Sequence, residues 1–124
     1  YFRDFAYCDS GMITWLVALG VMSQRGMSLG QLVGERQKLY PVSGEINREN
    51  SDVKGVLARA QKQYQSAARS VDFTDGLSME FDTWRFNLRG SNTEPLVRLN
   101  VETRGDEALM RAKTEELLKL IDAL

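Results

Sequence analysis

The residues in this chain best suited to chemistry stand side by side: Arg89-Gly90-Ser91-Asn92-Thr93-Glu94-Pro95. Five consecutive positions hold a guanidinium, a glycine, two hydroxyls and a carboxamide, with no acid before Glu94. Tetrahedral phosphate is recognised by such a set. N–H and O–H donors converge on its oxygens while an arginine grips two of them at once. Gly90 permits backbone geometry that a side chain would obstruct and lets amides approach an anion closely. Gly, Ser, Asn and Pro are also the residues of turns, so composition alone serves an ordinary hairpin loop equally well.

The elements around the loop weigh on that choice. Ser10 can cap a helix from Met12 to Gln24 that Gly26 closes, and it is apolar almost all round. A helix of this kind calls for burial on several sides. Ser28 caps a second helix carrying Leu29, Leu32, Val33 and Leu39, which Pro41 stops. A crossing through Ser43-Gly44 leads to a short strand at Glu45-Ile46-Asn47. Ser51 then caps a helix whose Val53, Val56, Leu57, Ala60, Tyr64 and Ala67 form one stripe. Val71 and Phe73 alternate with polar residues, and Asp75-Gly76 signals a turn into Leu77, Met79 and Phe81. Trp84, Phe86 and Leu88 alternate cleanly, as do Val97, Leu99 and Val101. Gly105-Asp106 opens a last helix with Leu109, Met110, Leu117, Leu120, Ile121 and Leu124 on its apolar side.

After the two leading helices the order is strand, helix, three antiparallel strands, helix. Two amphipathic helices cover one face of such a small α+β sheet and leave the other polar. Period-2 geometry puts Arg85, Asn87 and Arg89 together on the open face, and the seven-residue loop lets Arg98 lie nearby. Three arginines beside a donor-rich loop favour an anion site. The competing reading pairs Arg85 and Arg98 with Glu80 and Glu102 as ordinary surface charges.

Composition narrows the chemistry. The chain has 124 residues with 43% apolar and 27% charged, enough for one compact domain or a small domain with a piece of another. A net charge of −1 gives no general footprint for nucleic acid or an anionic membrane, so any anion site must be local. No segment approaches the ~20 apolar residues of a membrane span. Histidine is absent and Cys8 is the single cysteine, which excludes an internal disulfide and a zinc site and points to a reducing, cytoplasmic setting. The 17 acidic residues are scattered, with no Asp-x-Asp-x-Asp arrangement for Mg²⁺. Cys8 is expected as a buried thiol, Trp15 and Trp84 as core residues, and Asp72 and Asp75 as turn formers. The opening Tyr1-Phe2-Arg3-Asp4-Phe5 is strand-like and aromatic, which reads as a piece cut from a longer protein.

The run from Arg89 to Glu102 resembles the C-terminal phosphate-binding loop and following strand of the α-D-phosphohexomutases, in particular the bacterial phosphomannomutase/phosphoglucomutase branch. Thr74-Asp75-Gly76-Leu77, Trp84-Arg85-Phe86-Asn87 and Gly44-Glu45-Ile46-Asn47 sit where that family has a hairpin, a strand and a crossing. Tyr1-Phe2-Arg3-Asp4 and Asp9-Ser10-Gly11-Met12 resemble the strand and helix after its sugar-recognition loop. The resemblance covers nearly the whole chain. It implies the tail of the third, α/β domain and a linker in residues 1–40. Residues 41–124 would form a C-terminal domain like the TATA-box-binding protein, with a four-stranded antiparallel sheet and two helices on one face. The strand and two helices before it would end the α/β domain. Such a partial domain leaves the first helix with an exposed patch around Trp15, Leu16 and Leu19.

The resemblance also implies the site. Arg89, Gly90, Ser91, Asn92 and Thr93, with Arg98 nearby, would bind the substrate phosphate, and Asn92 fits this branch better than the glycine usual in phosphoglucosamine mutases. The partners implied are mannose or glucose 6- or 1-phosphate and the remaining domains of the parent enzyme. A phosphoserine there exchanges a phosphoryl group through a hexose 1,6-bisphosphate intermediate, with Mg²⁺ as cofactor, in a pathway such as GDP-mannose biosynthesis. Neither the serine nor the metal loop is in this chain, so no catalytic residue is assigned. A different class of reading, a stand-alone regulatory module sensing a phosphorylated metabolite, fits the same loop. A nucleic-acid module fits less well, because Trp84 and Phe86 point away from Arg85 and Arg89.

Overall fold

The computed structural model describes residues 1–123, so Leu124, expected on the last helix, lies outside the described residues. The chain divides into two compact units, Tyr1–Gln37 and Lys38–Leu124.

In the first unit the Ser10 hydroxyl accepts from the Ile13 amide at 3.3 Å and starts α1 (Gly11–Arg25). Gly26, at φ +60°, ends it in the left-handed conformation that costs glycine least. Ser28 and Gln31 then form a reciprocal capping box: the Ser28 amide donates to Oε1 of Gln31 at 2.8 Å, and the Gln31 amide to Oγ of Ser28 at 3.3 Å. They open α2 (Leu29–Leu39). No residue of α1 is buried, and Trp15, Leu16 and Leu19 lie exposed as expected.

Three expectations fail here. Arg3–Phe5 form a single 3₁₀ turn instead of a strand, closed by a bridge between Phe2 and Cys8. With no neighbouring strand in this unit to accept its hydrogen bonds, the segment satisfies them on itself, turning through Ala6 and Tyr7 at positive φ. Cys8 is consequently exposed, not buried. Trp15 is a surface residue at 56% exposure, which fits the exposed patch of a partial domain and overturns its reading as a core residue; of the two tryptophans, Trp84 takes the core position.

The second unit is a five-stranded antiparallel sheet with α3 (Val53–Tyr64) and α4 (Glu107–Asp122) on one face. Its strands are β1 (Ile46–Glu49), β2 (Ser70–Asp72), β3 (Leu77–Glu80), β4 (Trp84–Gly90) and β5 (Leu96–Thr103), in the order β1-β5-β4-β3-β2. The α+β class with helices on one face is as expected, with one strand more. The extra strand is β2, a three-residue edge strand with every residue exposed; the Val71–Phe73 alternation marks it, but it packs nothing against the helices and is absent from the expected four strands. Asp52, not Ser51, caps α3, its Oδ1 accepting from the Gly55 amide at 2.9 Å. Ala67 falls outside that helix, in a short 3₁₀ turn. Before β1, the Pro41 and Ser43 backbone bonds to Thr103 and Val101 and so lies beside the far end of β5.

Inward-facing Leu77, Met79, Trp84, Phe86, Leu88, Val97, Leu99 and Val101 meet Val56, Ala60 and Tyr64 of α3 and Leu117, Leu120 and Ile121 of α4. A polar lock sits where the two helices meet. The Tyr64 hydroxyl donates to Oε1 of Glu116 at 2.7 Å, and Lys113 Nζ bonds its Oε2 at 2.7 Å while standing 5.0 Å from the Trp84 ring centre. The Lys113 hydrogen bond, then that of Tyr64, holds the Glu116 carboxyl below its ordinary pKa. Burial, then Glu116, pushes the Tyr64 phenol above its own. A depressed carboxyl contributes stability above the unfolded value of about 4.3 and loses it as pH falls through the folded value. Glu116→Gln should therefore cost less than about 1 kcal/mol at pH 7, the group being well solvated. The difference should shrink at pH 3. Urea midpoints of both proteins at the two pH values test this, and a gap that does not change with pH contradicts it.

Candidate functional site

On the uncovered face, β4 and β5 place Arg85 opposite Glu102, Asn87 opposite Asn100, and Arg89 opposite Arg98. Two guanidiniums in direct register repel. The structure answers with Glu45, just before β1. Its Oε2 accepts from Arg89 Nη2 at 2.9 Å and its Oε1 lies 3.4 Å from Arg98 Nη1. The three side chains are 37%, 33% and 29% exposed for Glu45, Arg89 and Arg98, shielded enough to hold a defined geometry. Arg98 Nε is sealed from solvent with no partner among the described residues. Asp75, in the β2–β3 turn, lies 3.6 Å from Arg89 Nη1. Asn87 pins that turn by donating to the Asp75 carbonyl at 2.7 Å.

The loop is shorter than the sequence implies. β4 runs through Gly90, paired with Val97, so only Ser91–Pro95 leave the ladder. Arg89 is thus held by a strand and not by a loop. The glycine at 90 answers to packing: a Cβ there would sit 2.9 Å from Cγ1 of Val53 at the start of α3. Ser91 closes the loop base, its amide donating to the Leu96 carbonyl at 2.9 Å, and its Oγ accepts from the Thr93 amide at 3.3 Å. Asn92 and Thr93 are exposed at the tip, and among the described residues Asn92 makes no hydrogen bond. Its donors are free for a ligand.

The structure therefore brings Arg89, Gly90, Ser91, Asn92, Thr93 and Arg98 into one neighbourhood at one end of the open face. Arg85 stands apart, four positions along β4. The surface-pair alternative holds only in part: Arg85 lies across from Glu80 on β3 and Glu102 on β5, but Glu80 pairs with Arg104 at 3.2 Å and Arg98 with Glu45. Glu45 is the residue that sequence reading missed. The signal was there: it alternates with Asn47 onto the open face, and two arginines on that face require an acid.

This arrangement can bind an anion but holds no group set to break a bond. The groups with perturbed proton affinity near the core, Tyr64 and Glu116, sit on the helical side. Nor do the residues fit Mg²⁺. Among those described, no three His, Cys, Asp or Glu side chains come together as a metal site. Among the described residues, no helix is long and apolar enough to cross a membrane.

Comparison with known proteins agrees along both units. Residues 44–119 match the family description "phosphoglucomutase/phosphomannomutase, C-terminal domain", and residues 1–40 match the "alpha/beta/alpha domain III" of the same family. A phosphomannomutase of Escherichia coli is 57% identical over 121 residues, covering 98% of this chain and 26% of that protein. A phosphomannomutase of Salmonella montevideo is 54% identical, covering 99% and 27%. Proteins named phosphohexose mutases from Xanthomonas campestris reach 53%, covering 98% and 27%. A family member of known structure, from Burkholderia thailandensis, aligns at 25% identity and TM-score 0.49, covering 64% of this chain and 16% of that one. The chain thus spans about a quarter of the length of the curated relatives it matches, and by these matches it belongs to the phosphoglucomutase/phosphomannomutase family.

Proposed function

We propose that residues 41–124 are the phosphate-binding domain of a cytoplasmic phosphohexomutase that interconverts hexose 6-phosphate and hexose 1-phosphate, and that residues 1–40 are the end of its third domain. In this reading Arg89, Gly90, Ser91, Asn92 and Thr93, with the charge of Arg98, clamp the phosphate that is not reacting. The two ends of a hexose bisphosphate intermediate take turns in that clamp. The phosphorylated serine and Mg²⁺ belong to other domains of the complete enzyme, so the chain alone is inactive. What supports the reading most is the unengaged Asn92 at the tip of a donor-rich loop, anchored beside two arginines on a face no helix covers.

The clamp contributes position, not bond chemistry. A sugar held by its distal phosphate presents its other end repeatedly in one geometry, which is where much of an oriented reaction's advantage lies. A separate domain can also close over the substrate and exclude water from the transferring phosphoryl group.

Titrating glucose 6-phosphate into the ¹⁵N-labelled chain tests the assignment. Weak binding is expected, because most other contacts come from outside these residues, with shifts concentrated at residues 89–93 and Arg98. Shifts centred on the helical face, or no saturable shifts at any accessible concentration, would overturn it.

A further inference from the structure

Glu45 lies outside the loop that the family resemblance assigns to phosphate, yet it touches both arginines of the clamp. We propose that Glu45 is a positioning residue for phosphate binding: it bridges Arg89 and Arg98, holding two like charges in register so that Arg89 stays aimed at the loop. The inference rests on the clamp reading above.

The geometry is that of a bridge. Each carboxylate oxygen serves a different guanidinium, Oε2 to Arg89 at 2.9 Å and Oε1 to Arg98 at 3.4 Å. Without it, two opposed cationic side chains on neighbouring strands would swing apart into solvent. The bridge itself is firmly mounted. Ile46 pairs with Leu99, and one turn earlier the Ser43 hydroxyl accepts from the Val101 amide at 2.9 Å. Gly44 at φ +69° makes the turn between these anchors. Charge is also suitable: two guanidiniums and one carboxylate leave a net positive charge for the anion. Asp75 is farther from Arg89 and 73% exposed, so water screens it.

The rival role is that of a mere counter-ion, occupying the clamp until phosphate displaces it. The two roles predict opposite signs. If Glu45 only competes, removing its charge tightens binding. If it positions, removing its charge weakens binding, and only through Arg89.

Glucose 1,6-bisphosphate titrated into the ¹⁵N-labelled 124-residue chain separates them, using the native protein, Glu45→Gln, Arg89→Ala and the double variant. Glu45→Gln is close to isosteric. It should raise Kd about 5- to 10-fold, and that loss should vanish in the Arg89→Ala background, the mark of coupled residues. Equal or tighter binding by Glu45→Gln overturns the proposal, as does the same loss with Arg89 already gone. Glu45→Asp gives a second reading, since it keeps the charge but is too short to reach both guanidiniums. Positioning predicts weaker binding for it, and unchanged binding overturns the proposal. Failure of the underlying clamp looks different: Arg89→Ala alone would then leave Kd unchanged.

Discussion

Phe86→Ala should remove a large part of the stability of the second unit, about 3–5 kcal/mol. Phe86 is fully buried at the middle of β4, between Met79 on β3 and Val101 on β5. Its ring meets Tyr64 edge-on at 5.5 Å and lies 5.8 Å from Trp84 and 6.2 Å from Phe81. Truncation loses the transfer free energy of the ring and leaves a cavity that a central strand, bonded on both sides, cannot collapse to fill. Against a total of about 4–13 kcal/mol for a unit of this size, that is about a quarter of the stability or more. Phe86→Leu keeps most of the volume and should cost roughly half as much. Urea unfolding followed by far-ultraviolet circular dichroism gives the comparison, and a loss below about 1 kcal/mol for Phe86→Ala would mean that the aromatic cluster is not the keystone of this core.

The same alternation that buries Phe86 made the site legible. Trp84, Phe86 and Leu88 turn inward, so Arg85, Asn87 and Arg89 must turn outward, and no other information is needed. What alternation cannot give is where a ladder ends. Arg89 and Gly90 look like loop residues because Gly, Ser, Asn and Pro follow, yet both pair across to β5. Gly90 is explained by Val53, a contact between residues 37 positions apart that no local pattern encodes. Ser51 and Asp52 are both good caps at adjacent positions, and propensity does not choose between them. The edge strand β2 shows in the Val71–Phe73 alternation and the turn after it, but it buries nothing, so alternation alone does not add it to the sheet. The first unit shows the limit from the other direction: α1 is apolar almost all round, yet none of its residues is buried. Glu45 was readable only as a consequence, once the register set Arg89 against Arg98 and a counter-charge became necessary.

In the complete enzyme that the clamp reading implies, Arg89→Ala should lower kcat/KM by about 10- to 100-fold, the loss of roughly 1.5–3 kcal/mol for a charge-assisted contact. The fold should survive, because Arg98 keeps its ion pair with Glu45 and β4 keeps its backbone ladder. The division of the loss carries the information. A clamp that grips phosphate equally in the ground and transition states would raise KM and leave kcat untouched. A clamp that also fixes the sugar for attack lowers kcat, since binding energy far from the reacting atom is then used to orient it. Arg89 is set on a strand and braced by Glu45, so it is rigid enough for the second role, and both parameters should move. Arg89→Lys should recover only part of the loss: the charge remains, but an ammonium cannot offer two parallel N–H donors or span to Glu45 in the same way. Ser91→Ala, which removes one neutral donor, should cost about 0.5–1.5 kcal/mol. Steady-state kinetics with glucose 1-phosphate give each value. If Arg89→Ala leaves kcat/KM unchanged, or if Ser91→Ala costs more than Arg89→Ala, the arginine is not the centre of the clamp.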